Sequence, residues 1–335
     1  MKVLLIGGTG VMSTEVSKLA VSEGMELTML NRRNHPERIP EGAEVIEGSI
    51  DDPAVQERLK QESYDVVMDF IVFAPDQAKR DVELFNGRCG HYLVVTSACI
   101  YEKPIKVLPA TEGSTVGNSP WDYAKDKMAC EEVYRAAYKE LGFPVTMVRP
   151  SHTYCDWALP VSLTGKGGGW NIISRMKRGL PVLVQGDGLT VWTITHGRDV
   201  AKGMVGLFGN GSAIGEAGHI TTDEFLTWDE IYRDIARPLG APPRLVHVST
   251  EMLCHAFPGN YGQLFGDISH CGIYDNTKIK RLVPGYCATT TAARGLRDAV
   301  MYHLAHPELQ VEDPDFDRRC EEVLEAVKAF NARFD

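Results

Sequence analysis

No stretch of this 335-residue chain holds the roughly 18 consecutive apolar residues of a membrane-spanning helix, so no membrane role is expected. The apolar start at Met1 runs into a strand pattern and a glycine loop where a secreted protein would have a cleavage site, and the expected location is cytoplasmic. None of the eight cysteines falls at a Cys-x-x-Cys spacing, and most lie in apolar stretches, where a reduced thiol behaves as a small hydrophobe. Neither a disulfide framework nor a metal site is expected. Positive charge is also scarce: 35 Lys and Arg face 45 Asp and Glu, a formal net charge of −10. That sign opposes phosphate neutralisation and makes nucleic acid an unlikely partner. Internal repeats and low-complexity linkers are missing too, while 44% hydrophobic and 24% charged residues suit one large or two intimate domains with a substantial core.

What the chain does have begins at its first residues. Val3 to Ile6 form a continuous apolar run, as a strand covered on both faces requires, and Gly7, Gly8 and Gly10 follow at once. Val11, Val16, Leu19 and Ala20 then recur at helical spacing until Gly24. Glycines at such a turn let the backbone approach a pyrophosphate, and the first N–H groups of the helix, from Val11 and Met12 onward, point at its negative charge. The third glycine common at these turns is replaced by Ser13. A dinucleotide is therefore the expected cofactor.

Strand patterns at 25–30, 44–47, 65–70, 91–96 and 145–149 alternate with helical patterns around 54–61, 77–85 and 121–141, which predicts an α/β fold with a parallel, doubly wound sheet. After Pro150 the pattern loosens, with glycine clusters at 165–169 and 186–188. The expected division is a dinucleotide-binding domain over 1–150 and a smaller C-terminal substrate-binding region over 151–335, with segments returning to the first domain. The last helix, around 317–334, places Cys320, Val323, Leu324, Val327 and Phe330 on one face, expected to dock on the core.

Tyr123 and Lys127 stand four residues apart in a helical segment, so both side chains leave one face. A phenol titrating near 10 is a poor base at neutral pH, but a neighbouring ammonium favours the phenolate. Upstream, Val94-Val-Thr96-Ser97 sets the Ser97 hydroxyl at the end of a parallel strand, where ligands bind in such sheets.

Taken in order, these motifs resemble the extended short-chain dehydrogenase/reductase family, the group with NAD-dependent sugar epimerases and dehydratases. The resemblance covers nearly the whole chain: the glycine loop, Ser97 in Ser-Ala-x-x-Tyr101, Tyr123 and Lys127 in YxxxK, Arg149-Pro150 closing a strand, and Gly186-Asp-Gly188 leading to His196-Gly-Arg-Asp199. It implies a Rossmann-type fold and an NAD(P) coenzyme. Tyr123 would exchange a proton with the substrate oxygen, Ser97 would hydrogen-bond that oxygen, and Lys127 would hold the nicotinamide ribose while lowering the Tyr123 pKa. Such proteins commonly pair through two helices, one bearing the YxxxK lysine, so a homodimer is expected; Met128, Val133, Tyr134, Ala137 and Leu141 are the candidate contacts.

The departures from that family narrow the expectation. Where many relatives carry an acidic residue after the second strand, this chain reads Asn31-Arg32-Arg33, which favours NADP(H) over NAD while leaving Asn31 to bond a ribose. The acidic pair that dehydratases place after the strand-end threonine is Ser97-Ala98 here, so dehydration is downgraded. Nucleotide-sugar epimerases place arginines four residues past Gly-Asp-Gly and before a later Gly-Asp; here those places read Trp192 and Gln263-Leu264. A buried diphosphate would be poorly paired, unless Lys166, Arg175, Arg178, Arg198 or Arg244 reached it. His152 sits where an asparagine often touches the sugar and is a candidate substrate contact or second proton-transfer group, Trp192 a candidate stacking surface, and His196 a structural residue beside Asp199. Gly167 to Gly169, before Trp170 and Asn171, read as a surface loop with a lid as the alternative.

The sequence thus favours an enzyme acting on a carbohydrate-like small molecule by internal-redox epimerisation, with substrate contacts at Ser97, Tyr123, His152 and Trp192. A net dehydrogenase or ketoreductase on a sugar-like or polyol substrate is the alternative. A third reading is an RNA-binding protein on the same fold, opposed by the acidic balance and the intact Ser97, Tyr123 and Lys127.

Overall fold

Short apolar runs alternate with helices through the first 150 residues because each run is buried on both faces once helices cover the sheet. The computed structural model describes residues 1–334. Its first half runs β1 (Lys2–Ile6), α1 (Ser13–Ser22), β2 (Glu26–Asn31), β3 (Glu44–Glu47), α2 (Pro53–Lys60), β4 (Tyr64–Asp69), α3 (Pro75–Phe85), β5 (Cys89–Val95), α4 (Asp122–Leu141) and β6 (Val145–Arg149). Local chemistry sets several boundaries. Asp52 accepts from the Ala54 N–H to cap α2, with Pro53 in its first turn, and Gly142 ends α4 in the left-handed region that glycine enters freely.

The second half is made of shorter pieces: β7 (His152–Tyr154), α5 (Trp170–Lys177), β8 (Val182–Gln185), β9 (Val191–Trp192), β10 (Ile194–His196), α6 (Gly197–Gly206), β11 (Ala217–His219), β12 (Leu226–Thr227), α7 (Trp228–Ala236), β13 (Leu245–Val248) and α8 (Thr250–Ala256). Then come α9 (Tyr261–Gln263), a π-helical turn over Leu264–Ile268, α10 (Thr277–Leu282), α11 (Ala292–Ala305) and α12 (Pro314–Asn331).

Seven strands form one parallel sheet in the order β3-β2-β1-β4-β5-β6-β11. Chain order reverses direction between β1 and β4, which opens a crevice beyond the ends of those strands. The sheet is Rossmann-type, as the alternation predicts. Residues from α6, β11 and α10 complete it although they lie past residue 150: Val200, Met204, Ile220 and Ile279 pack on the same face as Val3, Leu5 and Met68. A separate core around Trp192, Trp228, Tyr232 and Leu296 supports the C-terminal region.

Three local expectations change. In α4, Tyr134 and Ala137 lie in the sheet core beside Tyr92 and Phe143, so they are not free for a partner; Leu141 at the helix end stands 57% exposed. In α12, Cys320 and Val323 are buried, but Phe330 is 59% exposed because the helix outruns the core it docks on. The glycine-rich lead-in to α5, read as a surface loop with a lid as the alternative, is fastened to a distant part of the chain. Trp170 is buried with its indole N–H on Glu312, and Lys166 donates its backbone N–H to Asp313, so the segment is sewn to the start of α12.

Candidate active site

Two cavities lie at the strand ends, with Phe73 of one 6.5 Å from Tyr123 of the other between ring centres, and the glycine loop shapes the larger, of about 560 Å³. Gly7 has φ +82°, and a Cβ there would come within 2.5 Å of Ile71; at Gly8 the same atom would meet Met29 at 2.5 Å. Ser13 explains the missing third glycine. Its hydroxyl accepts from the Gly10 N–H at 2.8 Å and donates to the Gly7 carbonyl at 2.9 Å, closing the loop on itself. The close approach that a third glycine would serve comes from Gly197 at the start of α6, where a Cβ would lie 2.7 Å from the Val11 carbonyl. Val11 and Met12 lead into α1, whose start no side chain caps; the Thr14 and Glu15 N–H groups bond the Gly10 and Met12 carbonyls, and those of Val11, Met12 and Ser13 are the ones an anion could take.

The ribose end of this cleft is built by Asn31, whose Oδ1 accepts from the Arg33 N–H at 2.8 Å. Its buried Nδ2 has no hydrogen-bond partner among the described residues, a donor that a ribose oxygen would satisfy. Arg32 lines the cleft, whereas Arg33 does not: φ at Arg33 is +52°, and its side chain turns to Glu47 at 3.9 Å. The second basic group in the cleft is Arg38, which the sequence reading missed. Its guanidinium lies 3.8 Å from the ring centre of Trp157, which reaches over from the loop after β7, and donates to the Thr9 carbonyl at 3.3 Å. A dinucleotide fits these groups: bare glycine backbone, an uncapped helix start, an orphaned amide and two arginines in the cleft wall.

The smaller cavity, about 250 Å³, joins Ser97, Tyr123, His152 and Trp192 as expected. Ser97 follows β5 and caps the turn Ala98–Ile100, accepting from the Cys99 N–H at 3.1 Å. Tyr123 and Lys127 project from α4. Glu131, one turn on, ties that helix to the serine strand: it accepts from the Thr96 hydroxyl at 2.8 Å and from Arg149 at 2.8 and 2.5 Å. Arg149 also donates to Tyr101 at 2.8 Å, and Tyr101 bonds His219 at 2.6 Å. The arginine of Arg-Pro and the tyrosine of Ser-Ala-x-x-Tyr thus hold the frame and do not line the cavity.

Electrostatics inside the frame depart from expectation. Lys127 is buried, with Nζ donating to the carbonyls of Val72 at 2.7 Å and Val95 at 2.8 Å, and desolvation lowers its pKa to about 8. Burial raises Tyr123 well above its ordinary value, with Cys99 and Asp267 adding to the rise and the nearby Ser97 hydroxyl opposing it. Desolvation thus favours the protonated phenol, whereas the pair alone would favour the phenolate. Desolvation also lowers His152 to about 4, with Asp267 pulling weakly the other way. That ring stands edge-on to Trp192 and Trp228 as a neutral wall. Trp192 is both wall and core, its indole N–H donating to the carbonyls of His270 at 2.6 Å and Ile268 at 3.1 Å.

The proposed substitutes for a phosphate anchor all lie elsewhere. Arg175 pairs with Asp317 and Glu321, Arg178 with Asp317, and Arg198 with Asp156, while Arg244 donates to the Gly179 carbonyl. Lys166 is among the residues sewn to α12. His196 caps α6 and faces Asp156 at 3.3 Å, not Asp199, which instead accepts from Thr289, Thr290 and Lys202. Sequence reasoning also missed Asp267, Tyr274 and Ser151 in the cavity wall. They come from a π-helical turn and two connecting segments whose only common signal is adjacency in space.

Comparison with known proteins agrees with this geometry. The chain is 26% identical over 288 residues to 2'-dehydrokanamycin reductase of Streptomyces kanamyceticus, covering 85% of this chain and 80% of that protein. It is 25% identical over 266 residues to a chloroplast stem-loop binding protein of Arabidopsis thaliana, covering 75% and 66%. Among solved structures, an epimerase of Methanothermobacter thermautotrophicus superposes with a TM-score of 0.76 at 18% identity, over 92% of this chain and 93% of the other, a likeness of fold. The model of the NAD dependent epimerase/dehydratase family matches residues 3–221, the span that carries the glycine loop, Ser97, Tyr123 and Lys127, and the chain belongs to that family.

Proposed function

We propose that this protein is an NADP(H)-dependent reductase or dehydrogenase acting on a ketone or secondary alcohol of a sugar-like polyol that carries no nucleotide diphosphate. The observation that carries this reading is the wall of the small cavity, to which no arginine or lysine contributes among the described residues. A diphosphate there would be buried without a cation. Arg32 beside Asn31 and Arg38 in the same cleft support a 2′-phosphate and hence NADP(H).

A bound nicotinamide would supply hydride transfer; the chain's own groups manage the proton. Ser97 and Tyr123 hydrogen-bond the substrate oxygen, and the protonated Tyr123 delivers a proton to that oxygen as a ketone is reduced. Lys127, released from one backbone carbonyl, would bond a ribose hydroxyl, and its charge would ease loss of the phenol proton in the oxidative direction.

Internal-redox epimerisation uses the same three residues but returns hydride to the opposite face, so the oxidised intermediate must turn over while held. A cavity of about 250 Å³ without a cationic anchor favours a single transfer instead. It falls below the roughly 300–1,000 Å³ of most ligand pockets. Pairing of two copies along α4 belongs to the same proposal, with Tyr138 and Leu141 exposed at its end.

The test is to denature freshly purified protein and quantify released coenzyme by chromatography and mass spectrometry. Protein that emerges empty and binds added NADPH supports the reductase. Near-stoichiometric trapped coenzyme returns the reading to epimerisation, and failure to bind either coenzyme overturns the enzymatic reading.

A further inference from the structure

Behind the wall of the small cavity lies an ion pair that the proposed proton transfer does not use. Lys103 Nζ stands 2.7 Å from Asp267 Oδ1, with the lysine side chain 2% exposed and the aspartate 12%. The ammonium is held further by the Tyr274 hydroxyl at 3.4 Å and lies over the rings of Trp192 at 5.5 Å and Tyr274 at 5.9 Å. Asp267 lines the cavity, and Lys103 does not. The lysine charge is thus spent inside the wall, and what faces a ligand is a fixed carboxylate among neutral groups: Ser97, Ser151, His152, Gln263 and Tyr274.

We infer that Asp267, fixed by Lys103, is the substrate-reading group of this site and takes hydrogen bonds from hydroxyls of a neutral polyol. The inference rests on the reading of the small cavity as the substrate site. Three physical points carry it. A carboxylate accepts strongly from hydroxyl donors, since charge-assisted bonds are roughly twice as strong as neutral ones. It offers a phosphate no donor, since carboxylate and phosphate oxygens both only accept, so a sugar phosphate or nucleotide sugar would find neither a hydrogen bond nor a cation there. Lys103, 2.7 Å from the same carboxylate, leaves little net negative charge to draw a cationic amino sugar. A neutral ring bearing hydroxyls is the ligand that leaves no charge unmatched.

The full-length protein loaded with NADP⁺ is tested by ligand-observed NMR against D-glucose, D-galactose and myo-inositol as neutral probes, glucose 6-phosphate and UDP-glucose as anionic ones, and kanamycin as a cationic one. Wild type should bind at least one neutral probe in preference to the others. Asp267→Asn should weaken that probe by about 10-fold or more and narrow the gap to glucose 6-phosphate. Lys103→Met, which leaves the carboxylate unpaired, should shift preference toward kanamycin. Because Asp267 lies outside the coenzyme cleft, NADPH affinity should be the same in wild type and Asp267→Asn, and this control separates loss of fold from loss of recognition. Binding of no neutral probe, preference for UDP-glucose, or unchanged neutral-probe affinity in Asp267→Asn overturns the inference. Loss of coenzyme binding in the wild type instead overturns the enzymatic reading beneath it.

Discussion

Lys127 carries its charge into the interior, where two carbonyl oxygens and the rings of Phe73 and Tyr123 stand in for the hydration shell. The consequence is measurable without any substrate. Its folded pKa of about 8 lies below the 10.5 expected of an unfolded lysine, so between those values the unfolded chain binds more protons and stability rises with pH. Below pH 8 the cost of the buried ammonium is present in full. Relative to Lys127→Met, wild-type stability in urea should therefore increase from pH 8 toward pH 10, by up to about 3 kcal/mol. A flat difference would mean that the carbonyls solvate the ammonium as well as water does. For Tyr123 the expected outcome is chemical: Tyr123→Phe should lower turnover by roughly 10²–10⁴-fold while leaving NADPH affinity intact, read by steady-state kinetics beside a coenzyme titration. The spacing of these two residues in sequence already placed them on one helical face. It could not reveal that burial would set both pKa values against the sense expected from the pair alone.

Among elements, the decisive relation is between β5, which delivers Ser97, and α4, which delivers Tyr123. Glu131 holds the two together through Thr96 and Arg149, all buried. Glu131→Ala would leave the Arg149 guanidinium unpaired in the interior, which costs about 3–5 kcal/mol. Denaturant melts should show a loss of that size, and a loss below about 1 kcal/mol would mean that water replaces the carboxylate. The strands and helices of this half were legible because each reads in one period: apolar runs for doubly covered strands, i, i+3, i+4 recurrence for helices. The Asn31 strand end was legible for the same reason. Its two arginines were not equally so, since backbone at φ +52° sends Arg33 toward Glu47 and the cleft takes Arg38 from farther along. Strands of two or three residues, such as β9 and β12, have no readable period; only their pairing defines them.

For the whole molecule, the −10 charge works at a distance that no single contact sets. A relative is named for stem-loop binding, so the question is direct: a stem-loop RNA should show no mobility shift with this protein at low or physiological salt, because too few cations are available to release counterions. A shift that weakens steeply with added salt would revive the RNA-binding reading. Among the described residues no helix is long and apolar enough to cross a membrane. At this scale too, α6, β11 and α10 complete a sheet begun 200 residues earlier, with Val200 and Ile220 against Val3 and Leu5. By itself the sequence determined the glycine loop, the alternating sheet, the Ser97, Tyr123 and Lys127 set and the lack of a phosphate anchor at the usual places, because each is written in local spacing. Tertiary structure alone decided which arginines line the glycine-loop cleft, that Glu131 braces α4, and that Lys103 and Asp267 meet across 164 residues. Contacts between distant segments depend on how loops cross the strand ends, and no local period encodes that path.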